Sequence, residues 1–141
     1  MTFRSNKIRF EIEWGDCDPA TIVWNPHFFE WFDRGTWTLF QAVFGVPRQN
    51  IARHFGILSI PLVSAGAQFM IPLKFGDDAE LVSTPAEFKR SSFVVSHQIF
   101  KDGKLAVDGT ETRVWAGSHP EDPKRMKAVS IPESVLTAFR S

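Results

Sequence analysis

The sequence predicts an α+β fold, with an antiparallel sheet of about five strands wrapped around one long central helix, and three features carry that expectation. An alternating segment stands near the start, an aromatic segment with helix signals at both ends follows it, and four β-like runs with short connections fill the second half.

Over residues 7–14, Ile8, Phe10, Ile12 and Trp14 alternate with Lys7, Arg9, Glu11 and Glu13, which is the two-residue period of a strand with one wet face. Residues 15–25 break the pattern with glycine, aspartates and proline, and Pro26 stands where a first helical turn tolerates it. Phe28, Phe29, Trp31, Phe32, Thr36, Leu39, Phe40 and Val43 then recur at spacings of three and four, and Gly45 supplies an end signal. A helix this aromatic is expected to be buried. Gly35 inside it costs roughly 1 kcal/mol relative to alanine, so either the helix approaches a sheet closely there or the glycine lies on a tolerant surface.

Residues 47–56 have room for a short helix, and β-like runs follow around residues 58–70, 79–90, 93–101 and 105–116. Asp102-Gly103 marks a tight hairpin between the last two, Pro85 demotes the second run to an edge or a bulge, and residues 131–139 read as a short closing helix. Hairpin-length connections imply antiparallel pairing. One helix cannot cover such a sheet, and its edges or remaining apolar face call for a second copy, so a dimer is expected.

Composition narrows the function. With 14 Phe, 5 Trp and 43% apolar residues in 141, the chain fills one core but hardly two, so residues 1–141 are expected to form a single domain. Sixteen basic residues balance sixteen acidic ones, which leaves no long-range field for nucleic acid or an anionic membrane, and any anionic ligand must be held by a local group of charges. No apolar stretch approaches a membrane span, residues 1–7 are polar, and the single cysteine forms neither an internal disulfide nor a multi-cysteine metal site; cytoplasm is the expected compartment.

The densest chemistry lies in Gly15-Asp16-Cys17-Asp18-Pro19-Ala20-Thr21-Ile22-Val23-Trp24-Asn25-Pro26-His27-Phe28, between the first strand and the helix. This segment resembles the active-site stretch of the 4-hydroxybenzoyl-CoA thioesterase branch of the hot-dog-fold superfamily. The likeness continues through Trp31-Phe32-Asp33, Ile60-Pro61-Leu62-Val63-Ser64 and Lys89-Arg90-Ser91-Ser92-Phe93. It implies a hot-dog fold, hydrolysis of an aromatic acyl-CoA, and Asp18 as the catalytic carboxylate, acting as nucleophile on the thioester carbon or as base for a water. A thioester needs an attacking oxygen and a place for negative charge on its carbonyl. The opening N–H groups of the helix near Trp24 and Asn25 lack intrahelical acceptors and are suited to hold that charge. Asp16 is expected to form or cap the turn, and Cys17 to pack. Related thioesterases outside this branch carry a histidine and then an asparagine where this chain has Asn25 and His27, which favours the aryl-CoA branch and leaves His27 open between ring packing, a surface position and a helper in the site, with packing or the surface preferred.

The same resemblance places the CoA phosphates at Lys89 and Arg90, with Ser91 and Ser92 as further donors. It places Asp33, reaching into the partner's site, against a hydroxyl on the substrate ring. Ile60 stands in that pocket where the branch has a threonine, so a shifted hydroxyl, or an unsubstituted aryl or alkyl acyl group, stays open. No cofactor or metal is expected, since CoA is part of the substrate; the assembly expected is a homodimer or a dimer of dimers. Other readings are a short-chain acyl-CoA thioesterase of the same fold, a non-catalytic acyl-CoA-binding dimer, and a magnesium-dependent aspartate phosphatase built on Asp16, Asp18 and Gly76-Asp77-Asp78. The last needs a parallel sheet with continuous apolar strands, against the alternation of residues 7–14.

Overall fold

A computed structural model describes residues 2–141; the part of the expectation for the chain start that falls on Met1 lies outside the described residues. The chain runs β1 (Asn6–Glu11), a 3-10 turn (Trp14–Asp16), α1 (Pro26–Phe44), α2 (Arg48–Phe55), β2 (Leu62–Phe69), β3 (Asp78–Phe88), β4 (Ser92–Lys101), β5 (Lys104–Val114), β6 (Ala116–Ser118), β7 (Met126–Ala128) and α3 (Glu133–Phe139). β1 to β5 form one sheet in the order β1-β3-β4-β5-β2 with every neighbouring pair antiparallel, as the sequence predicts, while the small β6-β7 ribbon is an addition to it.

Gly45 ends α1 in the left-handed conformation (φ 66°), and Asp102 and Gly103 (φ 50° and 75°) make the β4–β5 hairpin. The side of α1 carrying Phe28, Trp31, Phe32, Gly35, Thr36, Leu39 and Phe40 is buried. Gly35 is the close-approach case: a Cβ there would overlap Ser83 Oγ and press on Leu81 and His97. Two apolar clusters result. One joins Phe28, Trp31 and Phe32 to Leu81, Ile99 and Val107, and the other joins Leu39 and Phe40 to Phe93, Val95, Trp115 and Phe139.

Two expectations need correction, for the first and second strands, and between them stands the Pro85 alternative, which falls to the bulge. The first strand stops at Glu11, because Asp16 caps a 3-10 turn immediately afterwards; this turns Trp14 out to 70% exposure instead of into the core. β3 is an interior strand: Pro85 is accommodated by a bulge between Pro85 and Glu87 and lies beyond the last β1 pairing at Ser83, so its missing N–H leaves no ladder position empty on that side. The 58–70 run is strand only over Leu62–Phe69, at the edge beside β5.

Candidate active site

Residues 16–24 form a small hairpin that positions the chemistry. The Trp24 N–H donates to the Asp16 carbonyl (2.9 Å), the Asp18 N–H to the Ile22 carbonyl (2.9 Å) and the Thr21 N–H to the Asp18 carbonyl (2.9 Å). Pro19, with its fixed φ, occupies the second position of the turn, and Thr21 is forced to φ 69°. A β-branched residue there is strained, and the strain sits three residues from the carboxylate. Asp18 is half-buried; its Oδ1 accepts the Ala20 N–H (2.8 Å), which orients the side chain, while its Oδ2 has no protein donor among the described residues. Asp16 instead accepts the Glu13 N–H (2.8 Å), the capping role expected of it.

The helix start offers fewer amides than the sequence suggests. The Trp24 N–H is consumed by Asp16, Pro26 has none, and the His27 and Phe28 N–H groups return to the Trp24 and Asn25 carbonyls (2.9 and 3.1 Å). Asn25 alone keeps an N–H with no protein acceptor among the described residues at this helix end. Trp24 is therefore corrected as an amide donor, and what remains of it is an indole exposed by 51%. An apolar cleft of about 210 Å³ opens beside Asn25, walled by Ile22, Val23, Asn25 and Phe28 on one side and the 69–73 segment on the other. A wider, open groove of about 770 Å³ over β1, β3 and β4 is lined by none of the hairpin residues and none of the expected site residues. His27 packs between Trp24 and Trp31 and faces Glu30 (3.4 Å); Cys17 directs its thiol at the Glu13 carbonyl (3.8 Å).

The other expected residues lie elsewhere. Lys89 to Ser92 make the β3–β4 turn, with Lys89 and Arg90 exposed, Arg90 donating to Ser130 Oγ (2.8 Å), and Ser91 accepting the Trp115 N–H through its carbonyl. The Asp18 hairpin is tied to the opposite end of β3, where Ile12 bonds Asp77 and Ile22 bridges Lys74. Eleven strand residues separate the two, roughly 30 Å or more. Ile60 is buried in the second apolar cluster at 1% exposure, so its side chain packs the core and does not line a cleft of the protomer.

Asp33 is held by two arginines that sequence reasoning missed. Arg113 reaches its Oδ1 (2.7 Å) and Arg48 its Oδ2 (3.0 Å), the latter stacked on Trp37 with 4.9 Å between guanidinium and ring. Behind Asp33 lies a buried polar layer between the two apolar clusters. Arg113 grips Glu111 through two nitrogens (2.8 and 3.3 Å) and donates to the Ile60 carbonyl; Glu111 also accepts from Thr36 (2.6 Å) and pairs with His97 (2.9 Å), whose other ring nitrogen meets Ser83 (2.8 Å). Burial alone would raise the Glu111 carboxyl, but the bonds from His97, Arg113 and Thr36 outweigh it and lower it to about 2. For Arg113, burial opposes the charge and the Glu111 and Asp33 carboxylates restore it, for a net upward shift. A signal for this layer existed: along β5 the inward parity reads Val107, Gly109, Glu111, Arg113, two ionisable groups where the pattern asks for apolar ones.

Among the described residues no group of three or more His, Cys, Asp and Glu side chains converges as around a metal ion. The all-antiparallel sheet departs from the parallel one that the aspartate phosphatase reading requires.

A wrapped helix, an antiparallel sheet and a carboxylate turn before the helix are matched by a family model: residues 12–139 fit the thioesterase-like superfamily, and the chain belongs to it, as a thioester hydrolase of the hot-dog fold. Its sequence is 33% identical to the 4-hydroxybenzoyl-CoA thioesterase of Pseudomonas sp. strain CBS-3, covering 94% of this chain and 96% of that one. The solved structure of that enzyme superposes with a TM-score of 0.85 at 30% identity, covering 96% and 99% of the two chains. A gentisyl-coenzyme A thioesterase structure follows at 0.78 and 29%, covering 95% and 98%.

Proposed function

We propose that the protein hydrolyses an aromatic acyl-CoA, of the 4-hydroxybenzoyl-CoA kind, to the free acid and CoA. Three observations carry this reading together: Asp18 stands on the turn before α1 with Oδ1 held and Oδ2 unbonded, the Asn25 N–H at the positive end of that helix has no protein acceptor among the described residues, and Asn25 lines an apolar cleft. Asp18 either attacks the thioester carbon, expelling the CoA thiolate and leaving an anhydride that a water then cleaves to the free acid and the Asp18 carboxylate, or takes a proton from a water whose oxygen attacks that carbon and expels the thiolate, to which the proton passes; in both routes the carbonyl oxygen gains charge against the Asn25 amide. The relatives named for hydroxybenzoyl and gentisyl esters support an aryl substrate.

The reading includes a homodimer, paired further into a dimer of dimers. Lys89, Arg90, Ser91 and Ser92 bind the nucleotide of a CoA whose thioester lies at the Asp18 of another subunit, because the two sets are too far apart in one protomer. β2 supports it as an open edge carrying Leu62, Val63 and Phe69, exposed by 48%, 60% and 48%. Work in the cytoplasm without a cofactor or metal completes the proposal. The test is a panel of benzoyl, hydroxybenzoyl, dihydroxybenzoyl, phenylacetyl and short-chain CoA esters with released thiol measured, alongside sedimentation. Hydroxylated benzoyl esters are expected to have the highest kcat/KM in an oligomer; faster short-chain turnover, or full activity in a monomer, refutes it.

A further inference from the structure

Asp33 differs from the other carboxylates near the helix in how it is held. Its side chain is 40% exposed, yet each oxygen carries one guanidinium N–H, from Arg113 on one side and Arg48 on the other. The two arginines are unequal. Arg113 is 4% exposed; the Nη2 that holds Asp33 also donates to Glu111 Oε2, Nε donates to Glu111 Oε1 and Nη1 to the Ile60 carbonyl, so all three nitrogens are engaged and its orientation is fixed. Arg48 is half exposed and rests on Trp37. A carboxylate has about four acceptor directions, so two remain open on Asp33, and the arginines fix the plane in which they point.

Resting on the aryl-CoA reading above and on the family resemblance, which sets Asp33 against a ring hydroxyl in the partner's site, we propose that Glu111 and Arg113 are positioning residues for acyl specificity. They hold Asp33 as a pre-aimed, ionised acceptor that rewards a ring hydroxyl, and Arg48 completes the clamp from outside. Ile60 fits this arrangement: its carbonyl braces Arg113 while its side chain packs the core, so Asp33 carries the hydroxyl readout without a side-chain hydroxyl at residue 60. The acceptor accommodates a donor group and offers nothing to a bare ring or a methoxy group. A charge-assisted hydrogen bond of this kind corresponds to a preference of roughly 10- to 100-fold.

The experiment compares kcat/KM for 4-hydroxybenzoyl-CoA and benzoyl-CoA. Arg113→Lys keeps the charge but loses the fork, and is expected to contract the ratio about tenfold, through KM for the hydroxylated ester. Arg48→Gln, at the surface and safe for folding, is expected to contract it about threefold, with no further effect once Asp33→Asn is present. Ser83→Ala disturbs the same buried layer without touching Asp33 and is expected to leave the ratio as it is. An unchanged ratio in Arg48→Gln, or an equal contraction in Ser83→Ala, overturns the proposal. A wild-type protein that cleaves both esters without preference also overturns it while leaving thioesterase activity intact. If neither ester is cleaved the thioesterase reading fails, and the ratio of dissociation constants on the same variants decides this one.

Discussion

The Asp18 hairpin, just before α1, and the buried layer behind Asp33, between α1 and the sheet, are both polar constellations, built in opposite ways. In the hairpin the carboxylates have local partners: Asp16 caps Glu13 three residues away, Asp18 holds Ala20 two residues away, and Trp24 closes on Asp16, while only the backbone of Ile22 and Val23 reaches out to Lys74 and Leu73. In the layer the partners come from four elements, with Thr36 bonding Glu111 across 75 residues and Arg113 reaching Asp33 across 80. The difference teaches a division of labour. Local bonds shape a surface turn that carries chemistry and whose loss leaves the core intact, whereas the distant bonds are part of the core, so their loss reaches stability and specificity together.

That contrast is sharpest for the carboxylates. Asp18→Asn is expected to lower kcat by about a thousandfold or more while acyl-CoA binding and the unfolding midpoint hold, as measured by thiol release, calorimetry and urea titration; unchanged turnover would remove Asp18 from the mechanism. Glu111→Gln should do the reverse and cost about 3–5 kcal/mol of stability, because Arg113 and His97 would stay buried against a neutral group. The pH dependence has a definite sign. With Glu111 lowered from 4.5 to about 2, the unfolded chain binds the extra proton, so its contribution is complete above about 4.5 and is lost as pH falls toward 2. Wild type is expected to lose stability across that window and Glu111→Gln to show a flatter profile; parallel profiles would break the comparison.

Smaller effects test the margins. Arg90→Ala is expected to raise KM for a CoA ester by about tenfold, and to leave it little changed for a thioester lacking the nucleotide; equal effects on both would refute a phosphate role. Thr21→Gly relieves a left-handed threonine and should stabilise the fold by up to about 1 kcal/mol in urea titration, after allowance for the freer unfolded chain. A loss of stability would mean that the threonine side chain is held by its surroundings.

Much of this molecule is written in local pattern. The helix from Pro26 to the Gly45 stop, the Asp102-Gly103 hairpin, the antiparallel runs and the Asp16–Asn25 turn are all legible in the sequence, because each rests on periodicity or on a residue with a fixed conformational habit. Where two local signals competed, the sequence alone did not decide. Trp14 continued the alternation of β1, yet the Asp16 cap closed the chain into a turn first.

What the tertiary structure alone decided is who meets whom. Gly35 marked a weak point in a helix, and only packing against Ser83 and His97 makes it the place where helix and sheet touch. Pro85 announced a disturbance, and only the sheet order made it a bulge in an interior strand. Asp33 was identifiable as a helix carboxylate from its neighbours in sequence, but its two arginines come from positions 15 and 80 residues away, brought together by the folded chain. Periodicity reports which way a side chain faces; contact across a sheet depends on register, which the assembled strands set together.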